Sequence, residues 1–144
     1  FWAIREDLVE GQAKRGRHIR TDLSVRISEV PRLIAECRAH VAADWAGWEP
    51  VAYGHAGDGN IHFNVMPPAG MAAETTREKG EALLAGLYGI VRAMGGSFSA
   101  EHGVGRSRRG VYLEWLAPEE LRVTTAVKAA FDPLGIMNPG CLLP

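Results

Sequence analysis

The sequence predicts an α+β fold, a small antiparallel sheet with helices on one face, and three observations carry that expectation. Periodicities run in the order strand, helix, strand, strand, helix, strand; the strand candidates are short and punctuated by glycine; and the two longer helical stretches each carry one apolar face. Before this series, WAIREDLVEGQAKRG places Ile4, Leu8 and Val9 at helical spacing and then dissolves into a basic, glycine-punctuated stretch. HIRTDLSVRI alternates as a strand does. After Pro31, the residues Leu33, Ile34, Cys37 and Val41 recur at helical spacing, and Pro50 marks the next break. VAYGH and NIHFNVM read as two short strands joined by AGDG, a glycine-rich reversal of the hairpin kind. AAETTREKGEALLAGLYGIVRAM carries Leu83, Leu84, Leu87 and Val91 on one helical face, and GGSFSAEHGVG follows as a strand running into a loop. That order is the ferredoxin-like split βαβ arrangement. The remainder, from about 106 to 144, predicts a helical tail: two helices, the second starting near Pro118, and an extended end fixed by prolines.

Composition narrows the classes. With 144 residues and 47% hydrophobic content the chain is expected to be one domain, or one domain with an appendage, folding as a soluble globule around a real core. Sixteen basic against seventeen acidic side chains give a formal charge of −1, and the basic residues are scattered, so the balance points to neither a nucleic-acid nor a membrane-surface partner. Cys37 and Cys141 are far apart and in no CxxC pairing, which argues against a disulfide framework and a cysteine zinc site and fits a reducing compartment. No run approaches the roughly 18 apolar residues of a membrane span, and no signal peptide can be read at the start. The chain opens FWAIRE, already inside patterned sequence, and is expected to be a fragment of a longer protein.

Chemistry concentrates in GHAGDGNIH, residues 54 to 62. Alternation in the second strand of the hairpin puts Ile61, Phe63 and Val65 on the face beneath the helices and Asn60, His62 and Asn64 on the other, which is expected to be open. A tight hairpin, permitted by glycines at 57 and 59, brings His55 near His62, within reach of one cation. The alternative is that Asp58 caps the turn and both histidines are ordinary polar strand residues, since two ligands do not make a metal site. A third candidate comes from SAEHGVG, where Glu101 and His102 sit at a strand end beside a glycine loop. Two histidines and a carboxylate form the open type of divalent site, leaving His102 as a base; equally, Glu101 and His102 read as an exposed pair. In the ideal ferredoxin-like order Glu101 falls at the edge opposite the hairpin. Either the sheet departs from that order or Glu101 reaches back through its loop.

GHAGDGNIHFNV, GGSFSAEHGVGRSRR and FDPLGIMNPG, in that order and at these separations, resemble the C-terminal domain of the FAD-linked oxidases. The subgroup is the D-2-hydroxyacid dehydrogenases, among them D-2-hydroxyglutarate dehydrogenase, flavin D-lactate dehydrogenase and the D subunit of glycolate oxidase. WAIRE and IRTDLSV are similar too, so the likeness runs from about Trp2 to Pro139. The resemblance implies that His55, His62 and Glu101 hold a divalent metal, zinc or manganese, and that His102 is the general base on the substrate hydroxyl. It also implies that Arg5 and Arg20 contact the substrate carboxylate, Arg20 standing where many relatives have lysine, and that Asn64 is a polar substrate contact. The resemblance implies FAD in an N-terminal domain toward which the extended tail returns, with Asn138 as a cofactor-binding residue, so that tail is expected to be poorly ordered by itself. Two positions depart from the pattern: Val9 replaces a threonine that touches substrate in some relatives, and Arg26 replaces the proline of SxP.

The implied reaction suits these residues. A 2-hydroxy acid chelates a cation through its hydroxyl and one carboxylate oxygen, and hydride leaves C2 for flavin as the base takes the hydroxyl proton. The chain itself has no GxGxxG, so flavin, substrate and electron acceptor all imply partners outside it, in a cytoplasmic setting or, in a eukaryote, a mitochondrial one. A metal-dependent hydrolase using the same three ligands, and a non-catalytic ligand-binding module, remain the rival classes.

Overall fold

The computed structural model describes Phe1–Leu143, the Arg5 side chain excepted. The chain forms two compact units, Phe1–Glu101 and His102–Pro144. In the first, helix α1 (Trp2–Lys14) precedes strand β1 (Leu23–Ser24), a 3-10 turn (Ile27–Glu29), helix α2 (Val30–Asp44), strands β2 (Glu49–His55) and β3 (Asn60–Met66), and helix α3 (Ala73–Ala93). The sheet is antiparallel in the order β1-β3-β2, so β3 is central.

The expected α+β class holds, and its core follows from the two periodicities. Helix α2 buries Val30, Leu33, Cys37 and Val41, and α3 buries Thr76, Gly80, Leu83, Leu87, Tyr88 and Val91, each set three or four residues apart and so on one face. These stripes share the core with Leu23, Ile61, Phe63 and Val65. Burial in this apolar layer pushes the Cys37 thiol up to about 12.

Three expectations about the strands need correction. The strand anticipated over HIRTDLSVRI shrinks to Leu23–Ser24. Ile19 still bridges Val65, but at Thr21 the side-chain hydroxyl replaces the main-chain pair, donating to Phe63 O at 2.9 Å and accepting from Phe63 N at 3.0 Å. A side chain bonding to backbone in this way offers an alternative to the ladder and interrupts it. The fourth strand is likewise reduced to isolated bridges, Ser24 with Ser97 and Asp22 with Ser99, because beyond Ser97 the amides turn to side-chain acceptors. Pro50 lies within β2 instead of breaking the chain before it. β2 is a sheet edge, where a residue with no N–H to donate is tolerated.

Nor is the polar face of β3 open, since all seven residues of the strand are buried. Helix α1 lies across this face, with Gln12 Oε1 accepting from Asn64 Nδ2 at 2.8 Å. The hairpin before β3 needs glycine at two places. A Cβ at Gly59, which has φ +82°, would stand 2.1 Å from Val25 O, and one at Gly54 would meet Asn60 O at 2.6 Å. Gly57 carries no such demand, as nothing lies within 4 Å of its ideal Cβ.

In the second unit, α4 (Arg109–Trp115) precedes α5 (Pro118–Phe131), which begins with proline in its first turn and the Glu120 carboxylate accepting from Ala117 N at 3.0 Å. The extended tail, expected to lack partners, is tied to its own unit. The Asp132 carboxylate accepts from Ile136 N and Met137 N, both at 3.0 Å, and from Lys128 Nζ at 2.6 Å. Arg106 and Arg109 donate to the carbonyls of Pro139 and Gly140. Among the described residues, no helix is long and apolar enough to cross a membrane.

Candidate metal and substrate site

The hairpin register pairs His55 with Asn60 and Tyr53 with His62, so period-two alternation puts both imidazoles and the Tyr53 ring on the same face. The two imidazole centroids are 5.9 Å apart and nearly perpendicular. The Tyr53 ring lies 5.1 Å from His62. His62 is buried, whereas the His55 side chain is 39% exposed at the end of its strand.

Glu101 joins them, and the topological difficulty is resolved in favour of the loop. After the Ser97 bridge the chain bends around Asp22, whose Oδ2 accepts from Ala100 N and Glu101 N, both at 3.0 Å. The bend carries Glu101 back over the sheet, with Oε1 3.1 Å from His62 Nε2 and 3.8 Å from His55 Nε2. Asp22 is wholly buried, with Oδ1 3.9 Å from His62 Nδ1. Ligand atoms of Asp22, His62 and Glu101 lie within 4.8 Å of one another, a spacing open to a metal ion.

The donor set fits the implied metal. Two neutral imidazoles and a carboxylate suit zinc or manganese and leave coordination positions for other oxygens. Glu101 Oε1 lies 3.1 and 3.8 Å from the two imidazole Nε2 atoms, within the span that ligands of one ion share, although His55 is not among the mutually close ligand atoms of Asp22, His62 and Glu101.

A cleft of about 370 Å³ adjoins the histidines, lined by Glu6, Leu8 and Val9 of α1 and by Tyr53, Gly54, His55 and His62. Val9, one of the departures noted in the sequence, is therefore a wall of this cleft. Arg5 belongs to the same helix, but its side chain lies outside the described residues. Arg20 is exposed, donates from Nε to His18 Nε2 at 3.2 Å, and lines a different cleft of about 460 Å³ with Arg17 and His18. Asn64 sits beneath α1 with its amide committed: Nδ2 donates to Gln12 and, at 3.1 Å, to Tyr53 Oη, and Oδ1 accepts from Thr21 N at 3.3 Å. At Arg26 the backbone keeps φ −56°, within a proline's range, so loss of that proline leaves the local conformation intact. His102 follows Glu101 in the chain, opens the second unit and is exposed. Asn138, in the tail, has φ 47° and is exposed.

Sequence reasoning missed Asp22. A lone aspartate two residues after Arg20 carries no periodic signal, and its partners are 78 and 79 residues further along.

The family model described as FAD linked oxidases, C-terminal domain, matches residues 1–142, and the chain belongs to that family. It is 39% identical over 141 residues to a D-2-hydroxyglutarate dehydrogenase of Stutzerimonas stutzeri, covering 97% of this chain and 30% of that protein. It is 35% identical over 144 residues to the mitochondrial D-2-hydroxyglutarate dehydrogenase of Bos taurus, covering the whole of this chain and 25% of that protein. An uncharacterised FAD-linked oxidoreductase of Mycobacterium tuberculosis is 35% identical over 119 residues, covering 83% of this chain and 24% of that protein. The chain thus spans less than a third of the length of these relatives.

Proposed function

We propose that this chain is the substrate- and metal-binding part of an FAD-dependent oxidoreductase that converts a D-2-hydroxy acid to the 2-oxo acid, hydride passing to a flavin held by another part of the protein. The observation that carries this reading is the approach of His55 Nε2 and His62 Nε2 to a single oxygen of Glu101 beside a cleft. Family membership supports the flavin, and the names of the relatives support the substrate class.

In this reading His55, His62 and Glu101 hold a divalent ion, zinc or manganese. When bound, the ion supplies Lewis acidity, lowering the pKa of a chelating hydroxyl. The chain's residues do the rest. Arg5 holds substrate carboxylate by charge-assisted hydrogen bonds, while Arg20, which lines a different cleft, and Asn64, whose amide is committed beneath α1, would have to turn to the substrate to join it. His102 takes the hydroxyl proton as hydride leaves C2. Asn138 belongs to the tail directed toward the flavin. Tyr53 and Val9 wall the cleft.

Anaerobic mixing of the full-length flavoprotein with D-2-hydroxyglutarate, D-lactate or glycolate tests the reading. Bleaching of the oxidised flavin band by at least one of these acids, lost on chelation and restored by zinc or manganese, is expected. No bleaching by any of them would overturn the assignment and revive a hydrolase or a binding module.

A further inference from the structure

We propose that Asp22 is the positioning residue of this site, setting the tautomer of His62 with one carboxylate oxygen and the place of Glu101 with the other; the inference rests on the metal-site reading above. Asp22 is 0% exposed. A carboxylate taken wholly out of water costs several kcal/mol unless its lone pairs are used, and two amides account for Oδ2 alone.

Its two oxygens face different members of the site. Oδ2 accepts from the amides of Ala100 and Glu101 at 3.0 Å each, and the Asp22 carbonyl accepts again from Ala100 N at 3.1 Å. These bonds draw the loop off the line of a fourth strand and deliver Glu101 to the histidines. Oδ1 faces Nδ1 of His62 at 3.9 Å, while Glu101 Oε1 stands at Nε2 of the same ring. The imidazole therefore lies between two carboxylates, one at each nitrogen.

A histidine that gives its Nε2 lone pair to a cation must carry its proton on Nδ1, and an anion at Nδ1 favours that tautomer and fixes the ring plane. Closing the contact by about 1 Å makes it a hydrogen bond. Asp22 suits this supporting position better than that of a ligand, because it lies on the Nδ1 side of the ring and its Oδ2 is already held by two amides.

The test titrates zinc into chelator-stripped full-length protein against a competing chelator, for the wild type, Asp22→Asn and His62→Ala. Asparagine keeps the shape of Asp22 but cannot satisfy both contacts. With its oxygen toward the amides, its NH2 faces Nδ1 and favours the Nε2–H tautomer, which has no lone pair for zinc. Zinc affinity of Asp22→Asn is expected to fall roughly 10- to 100-fold, the usual cost of losing such a supporting group. Wild-type zinc affinity in a folded Asp22→Asn would overturn the inference. Wild-type affinity in His62→Ala would instead sink the metal-site reading itself, so the two failures are distinguishable. Ring nitrogen-15 shifts of His62 in the zinc-loaded wild type need no variant: a proton on Nδ1 is expected, and one on Nε2 would contradict the proposal even if Asp22→Asn fails to fold.

Discussion

On one face of β3, Ile61, Phe63 and Val65 are 3%, 0% and 0% exposed; on the other, Asn60, His62 and Asn64 are 5%, 9% and 2% exposed. Burial is the same, and its energetic meaning is opposite. The odd face gains free energy by removing apolar surface from water, about 25 cal/mol for each Å². The even face must meet the cost of burying polar atoms by pairing them: Asn64 does so through Gln12 of α1, Tyr53 and Thr21, and His62 faces Glu101, whereas Asn60 Oδ1 is buried with no hydrogen bond among the described residues. Packing tolerates swaps of similar volume, whereas a paired polar face fixes which atom points where. That makes the even face suited to holding ligand nitrogens and the odd face suited to holding the sheet.

The contrast is broken most severely at Phe63. Phe63→Ala should cost about 3 to 5 kcal/mol of unfolding free energy, read as a lower denaturant midpoint at unchanged slope. On the even face, if His62 is the ligand proposed, His62→Ala should lower kcat/KM of the full-length protein for the proposed oxidation by about a hundredfold or more while changing the denaturant midpoint far less, because losing a ligand costs at least as much as losing a supporting group. A midpoint falling as far as in Phe63→Ala would show that the two faces are not distinct in role.

Thr21→Val probes the seam between them. It keeps the shape and removes both hydroxyl bonds to Phe63, so a loss of roughly 1 to 3 kcal/mol is expected, that of leaving buried backbone groups unmet. A stability equal to the wild type would mean that the hydroxyl is dispensable to the interrupted ladder. The apolar layer has a chemical signature as well: with its thiol pushed up to about 12, Cys37 should resist iodoacetamide at pH 8 while the half-buried Cys141 is modified, as read by mass spectrometry.

The smallest effect lies outside the sheet. Hydrogen bonds from Lys128, with those from the Met137 and Ile136 amides, hold the Asp132 carboxyl below its ordinary value of 3.8. A depressed folded value contributes stability that is present above 3.8 and lost as pH falls through the lower folded value. Amide exchange at Ile136 and Met137, corrected for intrinsic rates, should therefore be protected at neutral pH and lose protection only in strong acid, and Asp132→Asn should flatten that dependence.

Much of this was legible in the chain. Period-two alternation in NIHFNVM gave both faces of β3, and spacings of three and four gave the buried stripes of α2 and α3. His55, His62 and Glu101 were visible as residue types beside glycines. What could not be read was where side chains take over from the backbone. Thr21 replaces a ladder pair 42 residues away, and Asp22 captures amides 78 and 79 residues away. Such bonds follow no period, and they decided both the shortened strands and the return of Glu101. The closed polar face was missed for a related reason: α1 shows in the sequence as a helix, but nothing in its spacing says which face of the sheet it covers.

In the proposed site, one oxygen of Glu101 completes a divalent centre with the two histidines of the hairpin. Calorimetric titration of chelator-stripped full-length protein with manganese, for the wild type and Glu101→Gln, tests it most directly. A single tight site is expected in the wild type, with loss of most of its affinity in Glu101→Gln and the fold intact. Equal stoichiometry and affinity in the two proteins would contradict it.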